Sequence, residues 1–258
     1  TVLRLILYLA EEEARIDIEL EFAKTIQQSA LPTVFPPYPG RSEFDIYATM
    51  DTAKEVGGDF YDFYFVGENK LGFIIADVSG KGIPAAMFMM TAKTIIKGYA
   101  ESGKPIDEVF TIANAKLCES NEAGMFVTAW MGVLDITTGK IEFANAGHNP
   151  PLVRHADGTF EYLKSRPGFI LAGMEGMKYR KNELVLSPGD EIDLYTAGVT
   201  EATNSANGLY GEERLVKTLN TLHGLSGEDI CRAIKADIDT FVGDAPQFDD
   251  ITMMYLKY

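Results

Sequence analysis

Apolar residues recur at helical spacing over the first 31 residues. Val2, Leu5, Leu9, Ile16, Ala23, Ile26 and Ala30 fall on one heptad seam, which Glu12 and Glu19 interrupt. The spacing predicts one acidic helix, either a coiled-coil strand or an amphipathic helix packed on its own domain. Pro32, Pro36, Pro37 and Pro39 stop that helix and mark a boundary, so a helical linker over 1–31 and a domain over 32–258 are expected. Beyond the prolines the period changes. Residues 44–50 alternate as a strand does, and 71–76 form a continuous apolar run that ends at Asp77, which predicts a buried strand. Helical spacing follows over 84–99 and 106–119. Hairpins are predicted from 126–136 with 140–144 around Thr137-Thr138-Gly139, and from 152–155 with 159–163 around Asp157-Gly158. A strand over 191–195 entering a glycine turn, helices over 214–222 and 227–241, and a last strand over 251–256 complete the chain. The strands come in groups with helices between the groups. That grouping predicts an α+β fold with antiparallel sheets, not a doubly wound sheet.

Composition narrows the function classes. The chain has 258 residues, 46 % hydrophobic and 24 % charged, as ordinary globular proteins do. Its formal net charge is −15, which repels nucleic-acid backbones and anionic membranes and points to basic or neutral proteins and to cations as partners. Most of the acids are expected on a solvated surface. The two cysteines, Cys118 and Cys231, form no C-x-x-C pair, so a reducing cytoplasm fits and a disulfide framework does not. No apolar run has the length of a membrane span. The run over 2–10 is broken by Arg4 and lacks the basic start and cleavage site of a signal peptide. A first residue Thr1 suggests a piece of something longer.

The candidate chemistry lies in aspartates beside glycines at strand ends. Asp59 follows Gly57-Gly58, with Asp62 three residues on. Asp77 opens Asp77-Val78-Ser79-Gly80-Lys81-Gly82, and Asp249-Asp250 precedes the last strand. A carboxylate at the mouth of an apolar strand is costly unless it is solvated or paired with a cation. Several of them converging would make an all-oxygen site for Mg²⁺ or Mn²⁺. Taken singly, each Asp-Gly step is equally a turn. The glycine-lysine stretch fails as a nucleotide phosphate loop, because Ile75 stands at the first glycine position and Gly82 at the final Ser/Thr position. His148, His155 and His223 are scattered, and structural or exposed roles are expected for them. Ser79 has no evident partner base.

Five segments in order then carry a resemblance. Residues 55–62 (EVGGDFYD), 76–82 (ADVSGKG), 145–151 (NAGHNPP), 195–201 (YTAGVTE) and 248–252 (FDDIT) resemble the ordered motifs of the SpoIIE/RsbU branch of the PPM (protein phosphatase 2C-like) superfamily. The resemblance covers about residues 12–258, including the helix that leads into the domain. It implies two packed antiparallel sheets with helices outside, an αββα sandwich. It implies two Mn²⁺ or Mg²⁺ ions at one end, and a metal-activated water in place of a protein nucleophile. On these positions Asp77 would bridge both ions, Asp59 and the Val78 carbonyl would serve one, and Asp249, ahead of Asp250, would serve the other. Gly57, Gly58 and Gly80 would shape the backbone. The 145–151 motif and Arg166-Pro167-Gly168 read as structural. The helices over 84–99 and 106–119 match the pair that family members move to switch metal binding. The implied substrate is phosphoserine or phosphothreonine on a regulatory protein, with an anti-anti-sigma-factor-like protein as the model partner. Apart from the resemblance, the seam at Val2, Leu5, Leu9 and Ile16 suggests a homodimer through the first helix that relays the signal of an upstream sensor domain.

Ala197 departs from the pattern. It stands where the family carries a metal-binding aspartate and offers no side-chain oxygen. The ion shared by Asp77 and Asp249 is therefore expected to bind more weakly, or the chain is a pseudophosphatase that binds a phosphoprotein without turnover. The intact remaining motifs favour a single-site or engineered change over general decay.

Overall fold

The computed structural model describes residues 2–119, 121–155 and 158–258. Helix α1 (Val2–Ser29) runs into the boundary prolines. Ten strands follow: β1 (Asp45–Asp51), β2 (Phe60–Phe65), β3 (Lys70–Val78), β4 (Val127–Asp135), β5 (Lys140–Ala146), β6 (Leu152–Arg154), β7 (Glu161–Tyr162), β8 (Asn182–Val185), β9 (Glu191–Tyr195) and β10 (Ile251–Lys257). Five further helices are α2 (Ile83–Glu101), α3 (Ile106–Cys118), α4 (Ala197–Thr200), α5 (Gly211–Leu219) and α6 (Gly227–Val242).

The strands form two five-stranded sheets, β1-β10-β9-β6-β7 and β2-β3-β4-β5-β8, with every ladder antiparallel. Sheet–sheet contact runs through β10 against β2 and β3. Helices α2 and α3 cover the outer face of the second sheet, and α6 covers β1 and β10 on the first. This is the α+β sandwich with flanking helices that the strand grouping predicts. The central strands are buried along nearly their whole length, which explains the unbroken apolar run of β3. Trp130 stacks on Phe143 at a centroid distance of 5.0 Å in this core. A second cluster under α5 and α6 joins Tyr195, Cys231, Ile234 and Tyr255. Helix α6 starts where the Ser226 hydroxyl accepts from Asp229 N, an N-cap that satisfies an orphan backbone donor.

Four features differ from the sequence expectation. Strand β2 is not marked by alternation, because five of its six residues are buried, the charged Asp62 among four aromatic ones. Strand β8 is a short edge strand of four residues. The glycine turn after β9 is helix α4, formed once Glu201 N donates to Ala197 O. Most of α1 does not pack on its own domain: Leu5, Leu9, Ile16, Phe22 and Ile26 all stand in solvent. The second predicted hairpin is present as β6 paired with β7, while its turn residue Asp157 lies outside the described residues.

Candidate active site

The ladders bring the carboxylates to one end of the sandwich. Phe60 pairs with Ala76 in antiparallel register, so Asp59, one residue before β2, falls level with Asp77 near the end of β3. Met253 pairs with Tyr195, so the residues that precede β10 and follow β9 meet beside them. Alternation alone cannot deliver this, since the four segments are far apart in sequence.

Asp59 is 2 % exposed, and its Oδ2 accepts hydrogen bonds from Thr196 Oγ1 at 2.7 Å and Thr252 Oγ1 at 2.5 Å. The Thr196 hydroxyl in turn accepts from Thr252 N at 3.1 Å. Asp77 is half-buried. Burial, followed by the charges of Asp77 and Asp250, pushes the Asp59 carboxyl well above the usual carboxylate range, against the lowering pull of the two threonines. Burial also raises Asp77, with the charges of Asp249, Asp250 and Glu201 adding to it and Lys81 opposing. A buried and a half-buried carboxyl so close together concentrate negative charge that a cation would offset.

The two adjacent aspartates have different tasks. Asp250 braces the backbone: its Oδ1 accepts from Ala53 N at 2.8 Å, and its Oδ2 from Gly58 N at 2.7 Å and Asp59 N at 3.4 Å. Asp249 points the other way, with Oδ2 3.2 Å from Lys81 Nζ. That ammonium also lies 3.5 Å from the Phe248 ring centroid and donates to Phe248 O. Gly58 has to be glycine, because a Cβ there would lie 2.8 Å from the Val78 carbonyl oxygen. Gly198 has to be glycine for the same reason, its Cβ position being 1.9 Å from Asp250 O and 3.3 Å from Asp249 Cβ. That contact places the start of α4, and with it Ala197, against the Asp249-Asp250 backbone. Gly80 takes a positive φ of 85° at the turn out of β3.

His148 is buried and holds the frame. Its Nε2 donates to Tyr195 O at 3.1 Å, since a carbonyl only accepts, which leaves Nδ1 to accept from Thr128 Oγ1 at 3.0 Å. Burial drives its pKa down to about 4, so it is neutral and structural. Thr128 pairs with Asp77 across the ladder, so the 145–151 motif ties β4 beside Asp77 to the end of β9.

Among the described residues no three His, Cys, Asp or Glu side chains converge closely enough to hold an ion as they stand. The donor chemistry fits a hard cation on one side: Asp59, Asp77 and the Val78 carbonyl are all oxygen donors. On the other side, the Ala197 side chain carries no oxygen and Lys81 Nζ pairs with Asp249. Thr196, Thr252, Lys81 and Glu201 escaped notice as contributors in the sequence. The threonines lie one or two residues from the motif aspartates and strand ends, and that proximity was the available signal.

The comparisons agree with this architecture. A family model described as Stage II sporulation protein E (SpoIIE) matches residues 67–258, a match that begins after Asp59. Protein IcfG of Synechocystis sp. is 30 % identical over 265 residues, covering 92 % of this chain and 41 % of that protein. Phosphoserine phosphatase RsbU of Bacillus subtilis is 29 % identical over 246 residues, covering 95 % of this chain and 71 % of that one. The chain thus spans less than half the length of IcfG. Among solved structures, the SiaA-PP2C domain of Pseudomonas aeruginosa superposes with a TM-score of 0.83 at 21 % identity, over 96 % of this chain and 98 % of that one. The PP2C phosphatase domain and regulatory fragment of SpoIIE from Bacillus subtilis gives 0.73 at 15 % identity, over 83 % and 63 %. Both likenesses concern the fold.

Proposed function

Because the chain belongs to the SpoIIE family of PPM-type phosphatase domains, we propose that this end of the sandwich hydrolyses phosphoserine or phosphothreonine on a regulatory phosphoprotein. The observation that carries the reading is the convergence of Asp59 and Asp77, level with each other at the end of the β2–β3 ladder, with Gly58 packed against the Val78 carbonyl. Asp59, Asp77 and the Val78 oxygen would hold one Mn²⁺ or Mg²⁺, and Asp77 with Asp249 a second. Bound cations would supply charge to neutralise the phosphoryl oxygens and acidify the attacking water. The protein's part is orientation. Thr196 and Thr252 fix the Asp59 rotamer, Asp250 fixes the Gly58-Asp59 backbone, and Gly57, Gly58 and Gly80 let the chain turn closely there. Ala197 weakens the second position and so lowers this chain's turnover.

The other parts of the reading extend outward from the site. Residues 1–31 act as a helical linker that pairs two chains and joins residues 32–258 to an upstream sensor in the cytoplasm. The name of the RsbU relative supports phosphoserine as substrate, and an anti-anti-sigma-factor-like protein is the model partner. A second reading follows from Ala197 together with the Lys81–Asp249 ion pair, namely a pseudophosphatase that binds a phosphoprotein and signals without turnover.

The test compares Mn²⁺-dependent hydrolysis of an aryl phosphate and a phosphoserine peptide by this chain and by its Ala197→Asp variant. Restoring one metal ligand is expected to raise turnover by at least about tenfold. Equal absence of turnover in both proteins, with Mn²⁺ or Mg²⁺, overturns the hydrolytic reading and leaves the binding module.

A further inference from the structure

Helix α1 buries a single residue, and that residue is a glutamine. Gln27 is 4 % exposed while Ile26 beside it is 61 % exposed. Gln27 Nε2 donates to Gly57 O at 2.7 Å, and Gly57 N donates to Gln27 Oε1 at 3.0 Å. One side-chain amide thus satisfies both polar groups of one backbone residue, as a neighbouring strand would. Only a side chain with a donor and an acceptor on one planar group can do this, and an apolar residue would leave both Gly57 groups buried without partners.

Gly57 leads straight into the site. A Cβ there would lie 2.3 Å from Asp250 Oδ2, the oxygen that accepts from Gly58 N and Asp59 N. The next residue presses on the Val78 carbonyl, and Val78 N donates to Gly58 O at 3.3 Å. The residue that the end of α1 holds, Gly57, is therefore two residues from Asp59 along the chain, and its neighbour Gly58 lies against the Val78 oxygen. A cavity of about 390 Å³ lies beside the same helix end, lined in part by Lys24, Gln27, Tyr47, Thr52 and Tyr61. The amide pair ties the helix to Gly57, and just past the helix Leu31 enters the core and Pro32 O accepts from the Tyr61 hydroxyl.

We infer that Gln27 is a positioning residue that couples the seating of α1 to the placement of Asp59 and the Val78 carbonyl. The inference rests on the reading of those two groups as cation ligands. Withdrawing the amide frees the Gly57-Gly58 segment and loosens the cation site, although Gln27 touches neither cation nor substrate. The competing role is a fastener that holds the helix and nothing else.

Gln27→Leu removes both hydrogen bonds at similar volume. Gln27→Asn, one methylene too short to reach, serves if the leucine variant fails to fold. Each is made in the full chain, with and without Ala197→Asp. Three quantities are read: free Mn²⁺ by electron paramagnetic resonance, turnover against Mn²⁺ concentration, and amide hydrogen exchange at residues 57–60. The expected result is faster exchange at 57–60 and Mn²⁺ affinity lower by about tenfold to a hundredfold, as for removal of other groups that orient metal ligands. Turnover at saturating Mn²⁺ is expected to fall much less than affinity. Unchanged Mn²⁺ affinity, with faster exchange confined to residues 20–31, overturns the inference and leaves the fastener. Should the Ala197→Asp parent bind no Mn²⁺, the phosphatase reading fails on its own. Exchange at 57–60 then decides the role of Gln27: acceleration there with the sheets protected upholds the coupling, and no change ends it.

Discussion

Asp193 shows how a single buried group can oppose the fold that contains it. It lies in β9 with no measurable exposure, and neither carboxylate oxygen has a hydrogen-bond partner among the described residues. Burial, and after it the charge of Glu191, raises its pKa well above the usual carboxylate range. The folded state therefore holds a proton that the unfolded chain has released, so stability is greatest below the unfolded pKa and declines as pH rises from about 4 toward the raised value. Asp193→Asn removes the ionisation at the same size. It is expected to stabilise the protein at pH 7 by at least about 1 kcal/mol, with the gain shrinking toward pH 4. Urea unfolding at the two pH values measures it, and an equal effect at both would show that ionisation is not the cause.

At the scale of elements, the attachment of α2 to β2 is electrostatic as well as apolar. Asp62 is 2 % exposed and accepts from Lys93 Nζ at 2.6 Å, with Lys97 Nζ 3.3 Å away. Lys97 also lies 4.9 Å from the Tyr64 ring centroid. The pair links a helix to the strand that begins immediately after Asp59. Breaking one side of a buried pair strands the other charge, whereas replacing both often costs little. Lys93→Met leaves Lys97 as the remaining cation beside Asp62 and is expected to destabilise by about 1–3 kcal/mol, and Asp62→Leu combined with Lys93→Met to recover most of that loss. Chemical denaturation of the single and double variants tests it. Additive losses would mean that the ion pair contributes nothing specific.

For the whole molecule, the distribution of surface matters more than the net charge of −15. Helix α1 exposes Val2, Leu3, Leu5, Ile6, Leu7, Leu9, Ile16 and Phe22, an apolar surface with no cover from its own domain. Such a surface on a monomer is unusual in water, and the heptad seam offers a way to cover it with the same helix of a second chain. Static light scattering is expected to give a dimer mass that reverts to monomer when residues 2–22 are deleted. A strictly monomeric mass at high concentration excludes the pairing.

The sequence by itself determined the elements whose periodicity has a local cause. The buried run of β3, the hairpin of β4 and β5, α6, and the proline stop after α1 all follow from residues close in the chain. Strand β2 stayed illegible because burial on both faces removes alternation, and α4 because glycine after Ala197 reads as a turn until the Asp250 carbonyl packs against it. Only the tertiary structure decided that Asp250 braces Gly58 while Asp249 faces Lys81, since adjacent aspartates are indistinguishable until the backbone direction is fixed. It alone revealed that Thr196 and Thr252 hold Asp59, and that the single buried residue of an otherwise exposed helix is an amide reaching Gly57. Hydrogen bonds between residues 30 to 193 positions apart leave no period in a sequence, because they depend on where the sheets place the chain, not on what lies next to what along it.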